Sequence, residues 1–138
     1  RNDRNPYDES LAANPNVVVY RISGAFFFGA AAAVGAVLDR LSTRHRALIV
    51  DLAAVPFLDA TAANTLEGLA RKSGKRGVRV VLTGTNHDVR QELFVHGVKP
   101  PLVHYARSIE AAFAKLQEAG LLDAGAERRV KEEAGDSA

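Results

Sequence analysis

Hydrophobic and polar residues follow two different periods along the middle of the chain, and together they predict a small α/β domain. Short apolar runs rich in β-branched residues predict strands at 17–23, 26–28, 47–52, 78–83 and 102–105. Segments with an apolar residue every three or four positions predict helices at 29–42, 61–74, 86–96 and 108–119. The predicted order is therefore β-β-α-β-α-β-α-β-α.

The order of these elements predicts how the strands pair. Helices between strands favour parallel pairing, whereas the short turn at Gly24 favours an antiparallel pair between the first two strands. The run at 47–52 is almost entirely apolar, which predicts a central strand covered on both faces. We expect a mixed sheet of four to five strands, with about four helices packed mainly on one face.

The two ends of the chain differ in composition from its middle. Residues 1–16 are polar and contain two prolines, which predicts a linker. Residues 121–138 are charged and poor in large apolar side chains, which predicts a disordered tail. The predicted domain therefore spans residues 17–120. Methionine is absent, including at position 1, and this predicts that the chain is a segment of a longer protein.

Composition argues against several classes of function. The net charge is +2 and no basic run is interleaved with aromatic residues, so we expect no nucleic-acid partner. The chain has no cysteine, and its four histidines are not spaced as metal ligands, so we predict no metal site. No P-loop, Gly-x-Ser-x-Gly or Gly-x-Gly-x-x-Gly motif is present, so we assign no catalytic residues and predict that the protein is not an enzyme.

One turn carries candidate binding chemistry. It follows the buried strand at 47–52 and opens a helix, so its backbone N–H groups point to the sheet edge where α/β folds bind ligands. The candidate residues for a nucleotide, another anion or a partner are Asp59, Ala60, Thr61, Ala62 and Asn64, with Gly84 and Thr85 after the next strand as a second wall. The alternative is that Asp59 or Thr61 simply caps the helix.

A second candidate surface is the aromatic run Phe26, Phe27 and Phe28. Alternate side chains of a strand point to opposite faces, so this run places an aromatic ring on both faces. One face joins the core. The other is either covered by a helix or forms a docking surface for a partner.

Three segments together resemble a STAS domain, the fold shared by anti-sigma factor antagonists and by the cytosolic ends of SulP anion transporters. They run from 19 to 30, from 47 to 62 and from 75 to 84, and the resemblance covers 17–120. The Phe-Phe after the first turn is similar to the SulP branch. Antagonists commonly carry Asp-Ser-Ser/Thr-Gly in the candidate turn, where this chain has Asp59-Ala60-Thr61-Ala62. Thr61 retains a hydroxyl and is the candidate phosphorylation site.

The resemblance implies a non-catalytic cytosolic domain of a SulP-type secondary anion transporter. Such a domain regulates transport and assembly at the cytoplasmic face of the cell membrane, below a permeation path for sulfate, bicarbonate or a dicarboxylate. Its implied partner is the transmembrane domain of the same polypeptide, and a homodimer is also compatible with it. No cofactor is required, although binding of a guanine or adenine nucleotide, suggested for STAS domains generally, would fall on residues 59–64. The alternative is a stand-alone anti-sigma factor antagonist switched by phosphorylation at the Asp59–Thr61 loop.

Overall fold

The computed structural model describes residues 14–22, 35–42 and 44–122. Its strands are β1 (Val17–Arg21), β2 (Ala47–Asp51), β3 (Arg79–Thr83) and β4 (His104–Ala106). Its helices are α1 (residues 35–40), α2 (Ala60–Lys75), α3 (His87–Val95) and α4 (Ile109–Glu118). The predicted α/β fold is confirmed. The predicted strand at 26–28, its antiparallel pairing and the first part of the helix predicted at 29–42 lie outside the described residues.

The described strands form one sheet in the order β1-β2-β3-β4, and each neighbouring pair is parallel. In the register of this sheet, Val50 of β2 lies between Tyr20 of β1 and Leu82 of β3. Central β2 is covered on both sides, since Leu48, Ile49 and Val50 are each 0% exposed. The expectation of a fully buried central strand at this position is therefore confirmed.

Helices cover both faces of the sheet, and their distribution follows from the connections. Each of the strands β2 to β4 is added on the same side of its predecessor, so right-handed crossovers would place all three connecting helices on one face. The core of this first face contains Val37 of α1, Leu66 of α2 and Leu93 of α3, packed around Leu48 and Val50. Such a side chain contributes roughly 1.5–3 kcal/mol when it is fully buried.

The last helix, α4, packs on the opposite, second face of the sheet. Its Ala112, Phe113 and Leu116 cluster with Ile49 of β2 and Val81 of β3. No later strand follows α4 among the described residues, so the crossover rule does not constrain its face. The chain therefore leaves β3 toward the first face and leaves β4 toward the second.

Capping side chains stand at two helix starts, at the positions where the apolar pattern predicted these helices to begin. Asn86 caps α3 by accepting a hydrogen bond from the Val89 amide at 2.8 Å, and Ser108 caps α4 by accepting one from the Ala111 amide at 3.0 Å. Beyond α4, the Asn16 side-chain amide donates to the carbonyl of buried Leu122 at 2.9 Å. This bond joins the two ends of the described chain. The domain limits at 17 and 120 remain predictions.

Candidate functional site

The turn predicted as a binding site begins α2, and Asp59 caps this helix. The Asp59 backbone is extended, and its Oδ1 accepts a hydrogen bond from the Ala62 amide at 2.8 Å. The Asp59 carbonyl accepts a second bond, from the Ala63 amide at 3.0 Å. The amides of Ala60 and Thr61 donate to no group in the described part of the chain. They are the N–H groups that a helix start leaves for water or a ligand.

The side chains of this first turn divide into an outer and an inner set. Asp59, Ala60, Thr61 and Asn64 are exposed, whereas Ala62 is 0% exposed. The exposed set can therefore meet a partner in solution, and the Thr61 side chain lies within reach of a modifying enzyme. The methyl group of Ala62 packs in the core of the first face and cannot touch a ligand.

The connections that follow β2 and β3 are fastened to each other. The Asn86 side chain, besides capping α3, donates from Nδ2 to the Pro56 carbonyl at 3.0 Å. Gly84 has φ +73°, and a Cβ added there would lie 2.8 Å from the Ala53 Cβ. At the strand ends, the Thr83 hydroxyl donates to Asp51 Oδ1 at 2.6 Å. These contacts fix the start of α2 relative to the start of α3.

Gly84 and Thr85 face a different space from the Asp59 turn. They line a crevice of about 470 Å³ between the carboxyl ends of β3 and β4, and no residue from 59 to 64 lines it. Tyr105 and Ala106 of β4 and Lys115 of α4 also line it. The structure thus places the predicted residues at the same edge of the sheet but on separate surfaces. The predicted docking residues Phe26, Phe27 and Phe28 lie outside the described residues.

Apart from Gly84 and Thr85, the residues around this crevice were not singled out in the sequence, because their side chains come from distant positions. Arg90, Arg107 and Lys115 belong to α3, to the turn after β4 and to α4, and only the fold brings them together. The signal that reveals them lies in the topology and not in a local sequence pattern. Once α4 is placed on the second face, the gap between β3 and β4 becomes the expected ligand position in a parallel sheet.

Burial sets the protonation of the two titratable residues of β4. Burial raises the pKa of Tyr105 above its ordinary value, and the nearby Arg90 guanidinium opposes part of this rise. The Tyr105 hydroxyl therefore stays protonated and donates to the Val98 carbonyl at 2.6 Å. Burial also lowers the pKa of His104, and the positive charges of Arg79 and Lys115 add to this effect. His104 is therefore neutral at pH 7.

The His, Asp and Glu side chains of the described ranges form no group of three that could hold a metal ion. No helix in 14–22, 35–42 or 44–122 combines the length and the apolarity that crossing a bilayer requires.

The family is established by the match of residues 10–119 to the model of the STAS domain. The chain belongs to the STAS domain family. No curated protein sequence matches it significantly.

Solved structures similar to this chain include two transporter proteins and a variant of RsbS. The STAS domain of a SulP transporter from Vibrio cholerae is 34% identical, with 77% of this chain and 85% of that chain covered and a TM-score of 0.61. A sulfate transporter family protein from Wolinella succinogenes is 30% identical, with coverage of 74% and 87% and a TM-score of 0.60. A variant of RsbS from Moorella thermoacetica has a TM-score of 0.67 and coverage of 77% and 92%, but only 18% identity, and therefore shows the fold alone.

Proposed function

We propose that this chain is the non-catalytic regulatory STAS domain of a SulP-type secondary anion transporter. The observation that carries the proposal is that this chain has a higher sequence identity to the two transporter proteins than to the RsbS variant. Identity is 34% with the STAS domain of a SulP transporter and 30% with a sulfate transporter family protein, but 18% with the RsbS variant. The TM-scores of the three structures are similar, at 0.67, 0.61 and 0.60. Sequence identity, and not the fold, therefore separates the transporter proteins from the RsbS variant.

The first turn of α2 supports the same proposal. Antagonists commonly place a serine where this chain has exposed Ala60, and a glycine where it has buried Ala62. Ala60 has no hydroxyl that a kinase could modify. A methyl group at position 62 fills space in the core of the first face and contributes to packing instead.

In the proposed role, the domain lies at the cytoplasmic face of the cell membrane and contacts the transmembrane part of the same polypeptide. It regulates the transport of sulfate, bicarbonate or a dicarboxylate and the assembly of the transporter, alone or as a homodimer. The exposed residues Asp59, Ala60, Thr61 and Asn64 are its proposed contact surface, because they combine solvent access with two amides that have no partner in the described chain.

The coding sequence that contains this chain tests the proposal. Upstream of these residues, the same reading frame should encode many apolar segments of about 20 residues each. A short reading frame that encodes only a STAS domain would refute the transporter assignment.

The alternative is an antagonist switched by phosphorylation, and one observation favours it. Thr61 is exposed in the first turn of α2, where a phosphate would be favoured by the helix dipole. Incubation with an anti-sigma factor kinase and ATP, followed by mass spectrometry, should then find phosphate on Thr61. The Thr61→Ala variant is the control. An unmodified wild-type chain would remove this alternative and leave the transporter proposal untouched.

A further inference from the structure

The crevice between β3 and β4 lies where parallel sheets most often bind ligands. α3 follows β3 on the first face, where Val89 and Leu93 are buried, and α4 follows β4 on the second face, where Phe113 is buried. Two adjacent parallel strands whose following helices diverge in this way leave a gap beyond their carboxyl ends. By contrast, α2 and α3 both follow their strands onto the first face. The topology therefore favours the crevice over the Asp59 turn as a concave site.

The charged residues that line the crevice are all positive. Three of its lining residues are the cations Arg90, Arg107 and Lys115, and none of the described lining residues is acidic. Within the described ranges, neither arginine side chain forms an ion pair with a carboxylate. Like charges gathered without counterions repel one another, so an anion placed between them gains from all three.

Two of these cations are held in position by contacts that leave donors available. Lys115 Nζ donates to the Tyr105 carbonyl at 2.8 Å, which leaves two of its three N–H groups for a ligand. The Arg90 guanidinium carbon lies 6.0 Å from the centroid of the Tyr105 ring, at the limit of a cation–π contact. The ring of Tyr105 is in turn packed against Phe94, with centroids 5.4 Å apart. Tyr105 thus lies next to both cations.

We propose that this crevice binds a small multivalent oxyanion, either free phosphate or sulfate or a phosphoryl group carried by a small molecule. A tetrahedral dianion accepts several hydrogen bonds at once, which suits two guanidinium groups, an ammonium group and the Thr85 hydroxyl. The volume of about 470 Å³ is within the range of small-molecule sites and exceeds what one oxyanion fills. The proposal does not depend on the transporter assignment, since it rests on the described residues alone.

The test is an NMR titration of the ¹⁵N-labelled chain with inorganic phosphate at constant ionic strength, balanced with chloride. We expect saturable shifts that are largest at the amides of Gly84, Thr85 and Arg107. Arg107→Ala removes one exposed charge contact and should weaken binding about fivefold. Arg107→Glu places a carboxylate at the crevice and should abolish saturation. Arg44→Ala and Lys72→Ala remove exposed cations elsewhere and should bind phosphate like the wild type.

Further titrations with sulfate and ADP distinguish the sources of the anion. Equal affinity for phosphate, sulfate and ADP supports a free oxyanion, and tighter binding of ADP supports a phosphoryl group on a larger molecule. Three results would overturn the proposal: shifts centred on residues 60–64, shifts that never saturate, or equal binding by Arg107→Ala and Arg44→Ala. A well-dispersed spectrum of each variant confirms that it is folded, and the Arg107 side chain makes no described contact that folding needs.

Discussion

Asp59 and Thr61 are two residues apart at the start of α2, but they have different roles. The Asp59 carboxylate accepts the Ala62 amide at 2.8 Å and so satisfies a group that would otherwise lack a partner. The Thr61 side chain is exposed, and the described contact at this residue is made by its carbonyl, which accepts the Thr65 hydroxyl at 2.8 Å. Between the two caps that the sequence allowed, the structure assigns the role to Asp59.

Substitutions at these two residues should therefore differ in their effect on stability. We expect Asp59→Ala to lower the free energy of unfolding by about 1 kcal/mol. Thr61→Ala should change it by less than about 0.5 kcal/mol, as exposed substitutions usually do. Urea denaturation measures both values. Asp59→Asn retains an accepting oxygen and serves as the control, with a smaller loss than Asp59→Ala. Equal losses for Asp59→Ala and Thr61→Ala would contradict this assignment.

Ser73 and Ser108 provide a second contrast between residues of one type. Ser73 is 0% exposed in α2, and its Oγ has no hydrogen-bond partner in the described chain, whereas Ser108 Oγ accepts the Ala111 amide. We expect Ser73→Ala to raise the free energy of unfolding by about 0.5–1 kcal/mol, because it removes an unsatisfied hydroxyl and improves helix propensity. Ser108→Ala should lower it by about 1 kcal/mol. Thermal or urea unfolding distinguishes these opposite signs, and a loss at Ser73 would indicate an undetected partner.

The turn after β3 is constrained in two ways, by its backbone angle and by a close neighbour. Gly84 has φ +73° and lies against Ala53 of the preceding connection, with 2.8 Å between the Ala53 Cβ and an added Cβ. Gly97, at the end of α3, has φ +84° but has open space around its Cα. Both glycines provide a left-handed backbone, and only Gly84 also provides close approach.

Alanine substitutions at Gly84 and Gly97 should separate the cost of the left-handed backbone from the cost of the steric clash. Gly97→Ala should cost about 1 kcal/mol from backbone strain alone, whereas Gly84→Ala should cost at least about 2 kcal/mol because a steric clash is added. The free energy of unfolding in urea gives both numbers. In the double variant Gly84→Ala/Ala53→Gly most of the loss should remain, because the added Cβ would still lie 2.9 Å from the Cα of residue 53 and 3.0 Å from its backbone nitrogen. A Gly84→Ala variant no less stable than Gly97→Ala would show that the two connections are not in contact.

Local signals were sufficient to predict most elements. The β-branched runs located all four described strands, and the apolar periodicity located the helices that follow β3 and β4, because both signals depend on neighbouring residues only. The candidate turn was also found locally, from an acidic residue and a hydroxyl residue before a helix. The crevice between β3 and β4 was not found. Its cations are far apart in the sequence and meet only because α4 covers the second face.

At the scale of the whole molecule, the domain has two distinct surfaces at one edge of its sheet. The exposed turn at Asp59 is rigidly placed by the Asn86–Pro56 hydrogen bond and by the contact between Gly84 and Ala53. The crevice between β3 and β4 opens separately. In the proposed transporter, one surface would contact the membrane part while the other senses an anion. A single small domain could then couple anion concentration to transport without any chemistry of its own.

Anion uptake by the full-length protein tests the central claim most directly. The protein that contains this chain would be reconstituted in vesicles, with and without residues 17–120, and uptake of labelled sulfate, bicarbonate and dicarboxylate would be compared. We expect the full-length protein to transport at least one of these anions. Removal of the domain should lower the rate or the amount of assembled protein but leave the order of preference among anions unchanged. A full-length protein that transports none of them, or that transports them identically without this domain, would contradict the account.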